Sequence, residues 1–465
     1  MQSVVVRKRG VLALVLAWVI CAPLAECAPK KKELPSEKMS FIDNGTLKVG
    51  VNLALGGAIT WVSKSGSKEN VVNSHDLGRQ IQMSYYSGPN PYIAGDKKPV
   101  AHWASLGWNP IQSGDYGMNP SKVLDHRNDK KSIYVKCIPM QWPHDGVPGE
   151  CAFESWIRLE GPAAHVRSRI NNARSDKTLY SARHQEMPAV YVNGPYCRLM
   201  TYTNAEPFMG RPLAEIVKGP DVKGPWASWT TTEFWAAQVN KRDWGLGVWQ
   251  PATSHFIGGF AGRPGEGGPK DGPTGYIAPV RSEFLDHNIE HEFGYALILG
   301  TLREIRDWVY ENGKASALPV YDFRKDRQGW YYKPEVDFGG WPLKEGLWVK
   351  TGEGGASLTG PRGAWRANDV PRLRARVASK GGGQATVFWG TLEKPGFGAE
   401  RSVRFSVNGD GAFQDVGVVL SGHAEYKGII TGLRIDPPAG EWFKMLWLAH
   451  RPFGEGGPGG AEPAP

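Results

Sequence analysis

Apolar and polar residues repeatedly alternate with a period of two in this chain, and glycine or proline interrupts each run after a few residues. That combination admits short strands joined by turns and little else. Leu47, Val49 and Val51 alternate with Lys48, Gly50 and Asn52, and Gly56-Gly57 then turns the chain into Ala58-Ile59-Thr60-Trp61-Val62, which reads as a hairpin. Phe153, Ser155 and Ile157 oppose Glu154, Trp156 and Arg158. Val166, Ser168 and Ile170 oppose Arg167 and Arg169. Residues 233–239 and 245–249 suggest a second hairpin. The 59 glycines and 35 prolines follow no G-X-Y period, and 19 Trp, 16 Tyr and 16 Phe exclude a disordered chain, so the fold class is all-β. Leu302, Ile305 and Val309 have helical spacing and predict one short helix over residues 301–310.

At 465 residues the chain exceeds a single domain of roughly 100–200 residues, which favours two. Arg7, Lys8 and Arg9 precede an apolar run from Val11 to Ala25, the layout of a secretory signal peptide and short for a membrane span. Residues 1–28 are therefore expected to be a leader and 29–39 a charged linker, and the protein is expected to be secreted or periplasmic. A lipid-anchored Cys27 is the lesser alternative, because Glu26 is the wrong residue before it. Residues 40–315 form the expected first domain and 316–452 a β-sandwich module. Residues 453–465 form a tail too poor in apolar residues to fold. An exported chain sits where disulfides persist, and Cys137 and Cys151 flank a turn-rich segment, so a bridge between them is expected. Cys197 then remains a thiol. The net charge of +9 is partly gathered near the amino terminus and forms no nucleic-acid-type run, so no nucleic-acid partner is expected. No later stretch is apolar enough to span a bilayer.

Residues 73–92, NSHDLGRQIQMSYYSGPNPY, are denser in polar and aromatic groups than a solvated strand requires. Sugar rings present apolar faces and a rim of hydroxyls, so a site for them needs aromatic platforms and fixed hydrogen-bonding groups. Asn73, His75, Asp76, Arg79 and Tyr86 supply such groups, followed by Trp103, Trp108 and Asn109, and the same chemistry returns at Arg183, His184, Gln185 and Glu186. These are read as three segments lining one cleft. His184 and Glu186 are two apart on a strand and so share a face, where they can flank one ligand. The competing reading makes the aromatics core and His184 a satisfied strand-end histidine. His287-Asn288-Ile289-Glu290-His291 matches HxxEH, a zinc pattern that works only on a helix, whereas the context here is β. No metal or cofactor is expected. Glu154, Glu160 and Glu206 add carboxylates that no spacing argument pairs. From Phe256 to Tyr276 glycine and proline dominate, which predicts a mobile loop.

Taken together, GGAITWV, NVVNSHDLGRQIQMSYY, RHQEMPAVYV and HEFGYALILGTLREIRDWV resemble secreted relatives of the galactose-mutarotase-like, or supersandwich, fold of aldose epimerases and other carbohydrate-active enzymes. The resemblance covers about residues 40–315. It implies Arg79 as the sugar-holding arginine, His184 as the acid and Glu186 or Glu292 as the base. Residues 403–437 are similar to jelly-roll modules of carbohydrate-binding type that follow catalytic domains, although the usual closing aspartate-tryptophan strand is replaced by Lys444-Met445-Leu446-Trp447-Leu448. The combined expectation is an exported protein that binds and processes a glycan as a hydrolase, lyase or epimerase, with His184, Glu186 and Arg79 catalytic. The alternative is a non-catalytic glycan-binding or cell-surface protein. The sequence does not set an oligomeric state.

Overall fold

The computed structural model describes residues 2–6, 33–224, 226–313 and 318–451. It is an all-β protein in which the helix Leu302–Asn312 is the one α-helix among the described residues. The chain divides into two compact units. The first comprises residues 1–251, 255–280 and 287–314, and the second comprises 252–254, 281–286 and 315–465.

The first unit is built on two ten-stranded sheets. One contains the meander expected from the alternating runs: Ser132–Ile138 pairs with Cys151–Glu160, which pairs with Ala163–Asn172, which pairs with Glu290–Thr301. Phe153 and Ile157 are buried, as alternation requires. The expected hairpin of the second sheet also forms, between Leu47–Asn52 and Ala58–Lys64. Its turn needs glycine: Gly56 and Gly57 have φ of +59° and +71°, and a Cβ on Gly57 would stand 2.3 Å from Val135 Cγ1. Strand Trp235–Val239 pairs with Trp244–Trp249. The helix begins at a capping box in which Thr301 and Glu304 satisfy each other's backbone N–H groups. Its buried face of Leu302, Ile305, Trp308 and Val309 packs on Trp235, Ala296 and Ile298.

Several expectations are corrected here. Within the dense run of residues 73–92, residues 73–80 form turns and Ile81–Ser84 is strand. Residues 256–276 are not one loop: both ends are strand, because His255–Ala261 and Thr274–Glu283 form a hairpin, and the connection between them is residues 262–273. The expected Cys137–Cys151 bridge is not formed, and both residues are buried free thiols. Cys137 is paired with Phe153, which leaves Cys151 two residues along the neighbouring strand. Such a diagonal separation is about 7–8 Å, beyond what a disulfide spans without backbone movement. The HxxEH run is a turn that enters the strand Glu290–Thr301. Most of the expected leader, Cys27 included, and the expected tail lie outside the described residues, while Gln2–Val6 runs parallel to Ala214–Lys218 at the sheet edge.

The second unit holds a five-stranded and a six-stranded sheet. Its interior includes Leu373, Val377, Val387, Ile435, Phe443 and Leu448. Arg327 is buried there between the carboxylates of Asp286 and Asp337.

Candidate functional site

Strand Arg183–Asn193 lies inside the second sheet of the first unit, between Ile81–Ser84 and Thr274–Glu283. Gln185 and Met187 are buried on one side, whereas His184 and Glu186 are only partly covered on the other. A bulge then changes the parity. Glu186 pairs with Ser84 and Ala189 pairs with Gln82, so three steps on one strand match two on its neighbour. Because of that extra residue, Tyr191 joins Glu186 on one face, which strict alternation would have forbidden.

Glu186 is the centre of the cluster. The Tyr276 hydroxyl donates to Glu186 Oε1 at 2.5 Å, and Ser84 Oγ lies 3.0 Å from the Tyr86 hydroxyl. Burial raises the Glu186 carboxyl above the usual carboxylate range, opposed by hydrogen bonds from Tyr276, Tyr86 and Ser84 to the charged form. Burial and the Glu186 charge together raise Tyr86, Tyr191 and Tyr276 well above an ordinary phenol. Gln185 holds Tyr86 in place with a two-point contact: its Oε1 accepts from Tyr86 N at 2.7 Å and its Nε2 donates to Tyr86 O at 2.8 Å.

An aromatic floor adjoins the carboxylate. The buried Tyr276 ring lies 4.6 Å from Tyr191 and 4.7 Å from Trp226, both of which remain partly exposed. Beside Glu186 along its own strand, the His184 ring meets His255 edge-on at 5.1 Å, and His255 Nε2 lies 2.8 Å from Ser228 Oγ. Arg183 is turned to another task, donating from Nη1 to the carbonyls of Ser87 and Leu106.

The dense stretch of residues 73–80 mainly fastens the 262–273 connection. Asn73 Nδ2 donates to the carbonyls of Asp271 and Pro273, Ser74 N donates to Pro269 O, and His75 Nδ1 lies 2.8 Å from Lys270 O. Arg79 Nη1 donates to Gly272 O while its Nε faces Asp76 at 3.3 Å. That connection is therefore held from five points, contrary to the expected mobile loop. Arg79 and Asp76 still reach the cluster electrostatically: Asp76 adds to the upward push on Tyr191 and Arg79 opposes it.

Other expected site residues lie elsewhere. Trp108 and Asn109 are fully buried, and Asn109 Nδ2 donates to Tyr85 O as part of the loop framework. Trp103 packs on Trp142 in a short 3-10 segment. Glu292 is on the other sheet, paired with Arg169 at 2.9 Å. Conversely, Tyr191, Trp226, Ser228, His255 and Tyr276 escaped sequence reasoning. Tyr276 carried the nearest signal, as a tyrosine in an apolar strand where a phenol needs a partner.

No family model matches the sequence, and neither does any curated protein. Among solved structures, the chain is similar to a galactose mutarotase-like protein from Lactobacillus casei, at 11% identity over 56% of this chain and 100% of that one with a TM-score of 0.36. It is also similar to a galactose mutarotase related enzyme from Lactobacillus acidophilus, at 12% identity over 56% of this chain and 97% of that one with a TM-score of 0.32. A proposed aldose 1-epimerase from Escherichia coli K12 shares 10% identity over 57% of this chain and 100% of its own length, with a TM-score of 0.37.

Proposed function

We propose that this chain is an exported carbohydrate-active protein whose first unit binds a glycan on the open face around Glu186 and transfers protons there. One observation carries the reading: a carboxyl raised by burial, bonded to Tyr276 at 2.5 Å, stands beside an aromatic floor that leaves Tyr191 and Trp226 partly exposed. Rings of that kind cover the apolar face of a pyranose, while the surrounding hydroxyls match its rim. A carboxyl whose proton affinity is raised by burial gives a proton as well as takes one. His184, two residues away on the same face, is the second proton-transfer group, and Arg79, whose charge acts on Tyr191, holds a sugar oxygen or carboxylate. Hydrolysis, β-elimination and epimerisation all need such a pair.

The test is to incubate the protein with neutral and uronic polysaccharides and with reducing sugars, following reducing ends, unsaturated products and anomer exchange. Glu186→Gln and His184→Ala should each abolish turnover while leaving thermal unfolding and ligand binding in place. The fastening role of Arg79 favours the second reading, a glycan-binding protein without chemistry. Retained binding with no turnover of any substrate by the wild-type chain would select it. Failure to bind any glycan would reject both.

A further inference from the structure

One edge of the first unit depends for its cover on a segment expected to be removed. Ala214–Lys218 pairs with Arg198–Thr201 only through Ala214 and Glu215. On its outer side Gln2–Val6 runs in parallel along its whole length, with Val4 registered to Ile216 and Val6 to Lys218. Among the described residues no other strand pairs with Ile216, Val217 or Lys218. Gln2–Val6 falls within the expected leader of residues 1–28, so loss of the leader on export would strip the edge.

The edge beneath lacks the devices that keep sheet edges from pairing. It has no proline, its pairing with Gln2–Val6 is regular, its one lysine stands at the end, and Val217 is 43% exposed. Beside it lies a cavity of about 280 Å³, lined by Leu199 and Ile216 of the first sheet, Gly259 and Phe260 of the second, and Cys197. Glu215 and Lys218 also line it, but their charges are engaged, Glu215 with Arg198 at 3.3 Å and Lys218 Nζ with Gly224 O at 2.7 Å. Ala227–Thr230, the edge strand of the second sheet, lies alongside Gln2–Val6. The seat therefore combines a row of main-chain hydrogen-bonding groups with a depression. Ile216 is 6% exposed and lines that depression, so the position opposite it on an added strand faces the same side.

We infer that this edge is a strand-acceptor site and that its occupant, once the leader is gone, is an extended segment of another polypeptide, uncharged and β-branched like Ser3-Val4-Val5-Val6, added in parallel. Main-chain hydrogen bonds hold such a strand, and the cavity selects the side chain opposite Ile216. β-branched residues favour the extended form the seat requires. While Gln2–Val6 is attached it competes from within the same molecule, which keeps the site shut. None of these residues belongs to the Glu186 cluster, so the two sites stand or fall separately.

The experiment uses the full-length chain as wild type and as Val4→Pro combined with Val5→Pro. Successive residues of a strand point their N–H groups to opposite sides, so two adjacent prolines remove a ladder donor and release the strand. The probe is the free peptide of residues 1–8, MQSVVVRK, blocked at both ends. Amide exchange at residues 214–218 and the rate of Cys197 labelling are followed, with thermal unfolding alongside. In wild type, exchange at 216–218 should be as slow as at 198–201, and the peptide should change nothing. In the proline variant, exchange at 216–218 should quicken about tenfold or more and Cys197 should label faster, with unfolding unchanged. The peptide should reverse both effects, and the same peptide carrying Val4→Asp should bind about tenfold or more weakly, because it places a charge against Leu199 and Phe260. Fast exchange at 216–218 in wild type would overturn the inference without recourse to the variant. So would a peptide that protects neither the edge nor Cys197, equal binding of the Val4→Asp peptide, or association of the proline variant with itself in place of the peptide.

Discussion

Replacing Tyr276 with phenylalanine removes one oxygen, and the structure says what that oxygen does. Its hydroxyl donates to Glu186 Oε1 at 2.5 Å, in a place where Tyr276 is 1% exposed and water cannot readily substitute. A hydrogen bond to an ionised carboxylate contributes about 1.5–3 kcal/mol, against about 1 kcal/mol for one to the neutral acid. The difference, roughly 0.5–2 kcal/mol, moves the Glu186 carboxyl further upward in the variant. The sign of the pH dependence follows. Burial already raises the folded-state pKa of Glu186 above its unfolded value, so its contribution to stability is fullest below the unfolded pKa and is lost as pH rises through the folded one. In Tyr276→Phe that loss begins at the same unfolded pKa but continues to a higher pH. The unfolding free energies of variant and wild type should therefore differ by about 1 kcal/mol in acid, and the gap should widen by roughly 0.5–2 kcal/mol once Glu186 is ionised in both folded proteins. Denaturant unfolding across a pH series measures the gap directly, and any activity that needs Glu186 ionised should move its acidic limb upward. A gap of constant size across the series would refute the reasoning, because the tyrosine would then be acting by packing and not by its bond to the carboxylate.

Three further outcomes are expected. Gly57→Ala forces a Cβ to within 2.3 Å of Val135 at a φ of +71°, so denaturant unfolding should show a loss of about 2–4 kcal/mol, made up of left-handed backbone strain and overpacking. Asn73→Ala breaks two contacts to the 262–273 connection; limited proteolysis should then cut within that segment, and amide exchange there should quicken, while the strands on either side stay protected. Burial pushes the Cys137 thiol up to about 12 and raises Cys151 well above an ordinary thiol, whereas Cys197 is partly exposed; a thiol reagent read by peptide mass spectrometry should label Cys197 in the native protein and the other two only on unfolding.

How much of this could be read from the chain alone follows from the range over which each signal acts. The hairpin at Gly56-Gly57, the meander around Phe153 and Ile157, and the capped helix after Thr301 are set by neighbours within a few residues, and each appears where alternation, turn chemistry and helical spacing placed it. His184 and Glu186 are legible together for the same reason, since two residues along a strand share a face. Beyond that range the local rules stop. Whether residues 73–80 face a ligand or a loop depends on where residues 262–273 come to rest, about two hundred positions later. The polar groups that read as sugar-holding are largely used on that loop's carbonyls. The flank of Cys137 and Cys151 suggested a bridge because both ends of a turn come close, but a register offset of two places them diagonally and keeps them apart.

What the sequence determined by itself is thus the material of the fold: an all-β chain, its strands and turns, and one strand presenting a histidine and a carboxyl on the same side. Tertiary structure decided the company that carboxyl keeps. A single extra residue between Glu186 and Ala189 turned Tyr191 to its face, and pairing across the sheet brought in Tyr276, Trp226 and His255 from distant segments. Bulges and cross-sheet pairings arise from the fit of whole strands against one another, so no local pattern in the chain encodes them.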